Sequence, residues 1–295
     1  MAGVLANLAP QSCGAADEGG ERMRAHRLRL GLMVGAFVAG LIFPVLGQAG
    51  EAGPQMQDTL NAVVKKGELT VGTFDFYPPW GFRDAQNNIV GMDVDIAKEL
   101  AKELKVKLTL VPVPTTQDRI NFLISGKIDV AISNFTATLE RSKVITFSNP
   151  YVIDGIGVIF RKEAKIKGWA DLNGKRVAVT TGSTGEELLK KEAPKAKILG
   201  FDQASTALLA VQQNKADAQI EDYTYTVYHA GRDKNLAFLD KPISFQPYCF
   251  GVRKFDQEWL NYMNFFIYRL QQSGKMKELY KTWFAAEPFP VSPKW

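Results

Sequence analysis

Cysteine and histidine are almost absent from this chain of 295 residues, which holds two of each: Cys13 and Cys249, His26 and His229. Cys13 and His26 fall in the leader described below, so Cys249 and His229 stand alone in the remainder. No internal disulfide can form there, and no Cys/His cluster exists from which a zinc-type site could be built. Cys249 lies in the apolar run Tyr248 to Val252 and reads as an inert buried side chain. A long hydrophobic run is also missing after residue 50. The one near the start, Leu30 to Leu46, is broken by glycines and Pro44 and is shorter than the roughly 20 residues of a spanning helix. Charge of one sign is not in excess either: 36 Lys and Arg against 31 Asp and Glu give a net +5. The basic residues form no stripe, which argues against nucleic acid as a partner, and Lys65, Lys66, Lys190 and Lys191 read as solvated faces. The phosphate-loop pattern Gly-x-x-x-x-Gly-Lys-Ser/Thr does not occur.

What the first fifty residues do contain is an export signal. From Met23, the basic residues Arg24, Arg27 and Arg29 precede the apolar run, which ends in the small residues Gly47-Gln48-Ala49. Residues 23–49 are therefore expected to be removed, with cleavage near Ala49. Residues 1–22 form an extension of uncertain status, because either Met23 is the true start or the leader is unusually long. The remaining 246 residues, 295 less 49, suffice for one or two domains. Removing four arginines and three acids takes the net charge from +5 to +4.

Beyond the leader, short β-rich runs alternate with amphipathic helices, the pattern of an α/β protein. Strands are expected at Leu69 to Phe74, Lys107 to Val113, Asp129 to Ser133, Arg176 to Thr180, Ala218 to Glu221 and Phe250 to Arg253. Helices are expected at Asp93 to Leu104, Gln117 to Ser125, Gly185 to Lys191, Thr206 to Gln213 and Gln257 to Gln272. In the first helix Val94, Ala97, Leu100 and Leu104 share one face, while Asp93 and Asp95 suit the positive helix start. A strand-like passage, Val152 to Arg161, leaves the first set of elements and a second, Ile243 to Arg253, returns. That predicts two lobes, one of 50–153 plus 247–295 and one of 154–246. The stripe Trp259, Tyr262, Phe265, Phe266 and Tyr268 reads as a helix covering the first lobe.

The chemistry concentrates between Tyr77 and Tyr151. Thr136 offers a hydroxyl and Arg141 a fork of guanidinium donors, a pair suited to a carboxylate. Asp222 offers the acid that an ammonium group needs, so together these residues describe a clamp for a zwitterion. The glycine-flanked Thr180-Thr181-Gly182-Ser183-Thr184-Gly185 follows a strand and opens a helix, and so presents backbone donors to an anion. Blander readings exist for each: Arg141 could pair with Glu140 or Asp154, Asp222 could cap the helix after it, and Trp80 is read as a brace.

Five segments, in order, resemble the bacterial family 3 solute-binding proteins of amino-acid ABC transporters. They are Tyr77-Pro78-Pro79, Gly91-Met92-Asp93-Val94-Asp95-Ile96-Ala97, Ser125-Gly126-Lys127-Ile128-Asp129, Thr138 to Arg141, and Ala216-Asp217-Ala218 with Asp222. The resemblance covers 57 to 285. It implies a two-lobed fold of the type II periplasmic-binding-protein kind, joined by two hinge strands, in a periplasmic monomer without cofactor. Such a protein binds a free L-amino acid between closing lobes and delivers it to a membrane permease. It puts Arg141, Thr136 and the backbone of Thr184 beside Ser183 on the α-carboxylate, Asp222 on the α-ammonium and Tyr77 over the aliphatic stem. Phe74, Met92, Arg119 and Asn134 are expected to read the side chain. In relatives that take cationic amino acids the position of Phe74 carries an acid, whereas relatives that take acidic ones often carry a basic residue there and an arginine at the position of Arg119; here Phe74 is apolar and, of those two cations, Arg119 alone is kept. Glutamate, glutamine or aspartate are therefore favoured, with Arg119 as a structural residue and an apolar ligand left open. The rival is an enzyme on the same scaffold, since cyclohexadienyl dehydratases resemble this family in fold. Glu221 would be its general acid, although strand alternation would point Glu221 away from the cleft if Asp222 points in.

Overall fold

The computed structural model describes residues 58–291. The extension, export signal and cleavage point expected over 1–49 lie outside the described residues.

The first elements build a parallel sheet. Helix α1 (Thr59–Lys66) is capped by Asp58, whose side chain accepts from the Asn61 N–H at 3.1 Å, and it ends at Gly67 with φ +71°. Strand β1 (Glu68–Thr73) then pairs in parallel with β5 (Lys107–Pro112) and with the short β6 (Val130–Ala131). Between β1 and β5 lies a small antiparallel sheet of β2 (Phe76–Tyr77), β3 (Gly81–Arg83) and β4 (Ile89–Val90). It leads into α2 (Met92–Leu104), which buries Val94, Ile96, Ala97 and Leu100. The turn into α2 requires glycine: Gly91 has φ +138°, and a Cβ there would meet the Trp80 carbonyl oxygen at 2.1 Å. Helices α3 (Asp118–Ile124) and α4 (Leu139–Ser142) flank β6 in sequence.

The long strand β7 (Thr146–Arg161) carries the chain across. Its first half pairs antiparallel with β12 (Phe245–Val252), in a register from Thr146↔Val252 to Gly155↔Phe245 with irregularities around Cys249. Its second half pairs with β10 (Ala218–Asp222) and β11 (Leu236–Phe238). Beyond β10 come β8 (Arg176–Thr180) and β9 (Lys197–Phe201), both parallel. Helices α5 (Thr184–Glu192), α6 (Ala204–Gln212) and α7 (Tyr223–Ala230) complete this lobe. The chain returns along β12 to α8 (Gln257–Gln272) and α9 (Lys275–Phe284). Two lobes, each a mixed sheet flanked by helices and joined by β7 and β12, thus form the described chain.

The expected strands and helices are found to within a few residues. Missing from the expectation were the short strands β2, β3, β4 and β11, together with β9, α1, α4, α7 and α9. The α7 sequence, Tyr-Thr-Tyr-Thr-Val-Tyr-His-Ala, is β-branched and aromatic, which is strand composition. Tertiary packing makes it helical, burying Thr224, Tyr225 and Thr226. On α8 the expected aromatic stripe divides: Trp259 and Phe266 are buried, but Phe265 and Tyr268 are exposed and stack on each other 6.4 Å apart. The 3.6-residue period carries positions 265 and 268 to the outer face. The tail after α9 does not stay with the first lobe: Phe289 packs 6.4 Å from Tyr223 and 5.4 Å from Phe245.

One core lies around β1, α2 and α8, with Leu69, Val71, Met92, Leu100 and Trp259 fully buried. It continues to Ala204 and Leu208 of α6 and to Tyr225, so apolar contact also links the lobes beside the cleft. A second core lies around Val158, Val177, Val179 and Ile220. Trp259 anchors α8 through its indole N–H, which donates to the Asp129 carbonyl at 3.0 Å. Trp259→Ala should therefore lower the unfolding free energy by about 3–5 kcal/mol, seen as a reduced midpoint in urea denaturation.

Candidate functional site

The cleft between the lobes is walled by the ends of β1, β8 and β10 and the starts of α3, α4, α5 and α6. Phe74, Tyr77, Arg119, Asn134, Thr136, Arg141, Ser183, Thr184 and Asp222 all line it, as do Phe76, Thr116, Thr180, Asp202, Ala204 and Glu221. The cavity they leave is about 30 Å³, room for a couple of water molecules. An amino acid can enter only if the walls part.

Arg141 is set by its own short helix. Thr138 caps α4 by accepting from the Arg141 N–H at 3.2 Å, and the guanidinium then reaches inward. It donates to the Thr136 carbonyl at 2.7 Å and, across the cleft, to the Gly182 carbonyl at 3.2 Å. Pairing with Glu140 or Asp154 is not what the structure shows; Glu140 pairs with Lys143 instead. Arg119 is more deeply enclosed. Its guanidinium lies between the rings of Phe74 and Phe135, 4.9 and 4.1 Å from their centroids, and donates to the carbonyls of Thr116 and Ser133. Burial, with the Arg141 charge beside it, brings Arg119 down to about 9, and burial lowers Arg141 as well. Neither guanidinium has a carboxylate oxygen within 4 Å among the described residues.

Opposite them, Asp222 ends β10 and occupies the cap position of α7, yet its side chain makes no capping bond. Instead its Oδ2 accepts from the Tyr77 hydroxyl and from the Asn134 amide, both at 2.9 Å. Asn134 is held in the left-handed region, φ +38°, by buried Asp93. Asp93 takes the Asn134 N–H on one oxygen and the Tyr151 hydroxyl on the other, each at 2.7 Å. Burial raises Asp93 to about 7. Its position at the start of α2 thus serves the cleft rather than the helix end alone.

Two expectations are corrected. Met92 does not reach the cleft: it is fully buried in the first core, because Gly91 turns α2 so that its first side chain faces the sheet. Glu221 does not point away from Asp222. The Tyr77 hydroxyl stands 2.9 Å from its Oε1, and the Thr180 hydroxyl donates to its Oε2 at 2.6 Å. Asp222 is the last residue of β10, directly before α7, and both neighbouring carboxylates reach the one Tyr77 hydroxyl. Burial and the neighbouring Asp222 charge push Glu221 up to about 7, and burial raises Asp222. The adjacent acids after Ala218 to Ile220 were the available signal; Thr180 opposite them is found only through the β8–β10 pairing.

Trp80 is a brace, and it spans the lobes. Its indole N–H donates to Thr224 Oγ1 at 2.9 Å, and that hydroxyl donates to Asp154 at 2.6 Å. Tyr248 donates to the same carboxylate at 3.1 Å. Burial, then the Asp222 charge, raises Asp154 to about 7.

A ligand cleft between two α/β lobes on paired crossing strands defines the type II periplasmic-binding-protein fold, and the comparisons agree. The family model described as "Bacterial extracellular solute-binding proteins, family 3" matches residues 69–286, and the chain belongs to that family. It is 31% identical over 262 residues to the L-cystine-binding protein TcyJ of Escherichia coli (strain K12), covering 88% of this chain and 95% of TcyJ. It is 29% identical over 247 residues to the ABC transporter glutamine-binding protein GlnH of Bacillus subtilis (strain 168), covering 82% and 90%. Among solved structures, the ancestral amino acid-binding protein AncCDT-1 matches at TM-score 0.73 and 37% identity, over 77% of this chain and all of that one. AncCDT-1 is described as a precursor of cyclohexadienyl dehydratase and as a cationic amino acid solute-binding protein.

A guanidinium buried without an acid partner gains little net stability, since its desolvation offsets its contacts. Arg119→Met, which keeps the bulk, should therefore change the unfolding free energy in urea by no more than about 1 kcal/mol. A loss above about 3 kcal/mol would make Arg119 a structural residue.

Proposed function

We propose that this protein is an exported monomeric receptor that binds one free L-amino acid between its lobes and presents the closed form to an ABC-type permease. Arg141 with Thr136 and the Ser183–Thr184 turn takes the α-carboxylate, Asp222 the α-ammonium, and Tyr77 covers the stem. The single observation that carries this reading is the opposition, across one cavity, of Arg141 from one lobe and Asp222 from the other. A ligand holding both charges gains contacts only when the lobes close, which is what drives closure. The side chain favoured is acidic or a carboxamide, as in glutamate, aspartate or glutamine. Arg119 supports this, because a second buried cation without an ion-pair partner calls for a second acceptor. Glutamine and cystine, for which two of the relatives above are named, fit such a site.

One observation favours a second reading. Glu221 lies in the cleft wall, buried, and is raised to about 7, which is how a general acid is prepared. On this reading the protein is a dehydratase that protonates a leaving hydroxyl.

A thermal-unfolding panel of purified protein, freed of bound ligand, against the twenty L-amino acids and prephenate separates the two. An amino acid at about a thousand times its Kd should add about 4 kcal/mol, a shift of several degrees. The shift should vanish in Arg141→Ala and Asp222→Asn. Turnover of prephenate, lost in Glu221→Gln, would instead establish the enzyme.

A further inference from the structure

The Tyr77 hydroxyl has one proton and two neighbours that each need one. It stands 2.9 Å from Glu221 Oε1 and 2.9 Å from Asp222 Oδ2. If both carboxyls were ionised, one of these contacts would set lone pairs against each other in a water-poor site. The three groups therefore hold two protons between them. The field decides where the extra one sits. Asp222 faces the charges of Arg119 and Arg141 and accepts from the Asn134 amide. Glu221 has the Thr180 hydroxyl and the Asp222 N–H, at 3.3 Å, but no cation within 4 Å among the described residues.

We propose that in the closed cleft Glu221 carries a proton and donates it to the Tyr77 oxygen, so that capture of an amino acid takes up a proton. The order of donation is Glu221 to Tyr77 to Asp222, with Tyr77 supplied by the first lobe and both acids by the second. When the lobes part, Tyr77 leaves and Glu221 meets water, where a carboxyl ionises near its ordinary 4.5. The titratable and charged groups facing Glu221 are Tyr77 from β2, Asp222 from its own strand and Tyr225 from α7. Arg119 of α3, Arg141 of α4 and Asp202 at the end of β9 face it across the cavity. Its β7 partner is Gly157, which adds no charge.

The inference rests on the cleft closing on an amino acid, as proposed above, and is tested separately from it. The protein labelled with ¹³C at the glutamate side-chain carboxyl carbons is titrated by NMR, the Glu221 resonance being the one missing in Glu221→Gln. It is titrated alone and with the amino acid that gives the largest thermal shift. A midpoint near 7 with the amino acid and a lower one without it supports the proposal; a midpoint near 4.5 with the amino acid, or the same midpoint in both samples, overturns it. If no amino acid binds, the receptor reading fails, and the titration of the protein alone still decides the state of Glu221. Where an amino acid binds, the sign follows from linkage. The closed form holds the proton more tightly, so affinity is greatest at low pH, weakens as pH rises from about 4.5 to about 7, and is level above that. Within that window Kd should rise by up to about tenfold per pH unit. Calorimetry near pH 6 in buffers of different ionisation enthalpy should show about one proton taken up per ligand. In Glu221→Gln both effects should be gone; their persistence there would also overturn the proposal.

Discussion

The burial of charge without direct ion pairs is the constraint on which this structure turns. Arg119, Arg141, Asp93, Asp154, Glu221 and Asp222 all lie in or against one interlobe space. None of the six forms a salt bridge with another. Such groups are tolerable only if each is met by oriented neutral partners. The fold provides these: carbonyls of Thr116, Ser133, Thr136 and Gly182 for the two guanidiniums, and hydroxyls of Tyr77, Tyr151, Thr180, Thr224 and Tyr248 for the acids. A polar cleft prepared in this way can exchange its internal contacts for those of a charged ligand.

The same contacts join dynamics to function. Tyr77 and Asn134 on one lobe meet Asp222 on the other, and Trp80 reaches Thr224, so closing the cleft and completing the hydrogen bonds are one event. The crossing strands β7 and β12 pair over most of their shared length, with irregular register near Cys249. This confines relative motion to a narrow ribbon while each lobe keeps its own sheet. Asp93 illustrates how far the support extends, since it fixes Asn134 in a strained backbone region without lining the cavity.

Much of the architecture was legible because it rests on local pattern. The period of α2 and α8, the apolar runs of β1, β8 and β10, and the order of the five motif segments each follow from neighbouring residues. That Arg141, Thr136 and Asp222 belong together was legible too, because few side chains suit a carboxylate or an ammonium group, and all three line the one cavity. What was not legible depended on where elements stop. Met92 lies in a motif but faces the core because Gly91 turns the helix. Glu221 and Asp222, neighbours at the end of β10, both meet Tyr77 of the other lobe, a contact across more than a hundred positions. α7 itself is spelled in strand residues and becomes helical through packing.

By itself, the sequence determined an α/β chain of two lobes that carries Arg141 and Asp222, side-chain types suited to a carboxylate and to an ammonium group. These properties follow from residue chemistry and short-range periodicity, which a linear chain carries intact. Only the tertiary structure decided which groups converge: that Arg119 enters the cleft unpaired, that Trp80 bridges the lobes, and that one tyrosine proton stands between two carboxyls. The last two depend on contacts between residues more than a hundred positions apart, and all three on distances of a few ångströms. No local pattern encodes such distances, whereas packing and the demand to satisfy buried polar groups fix them.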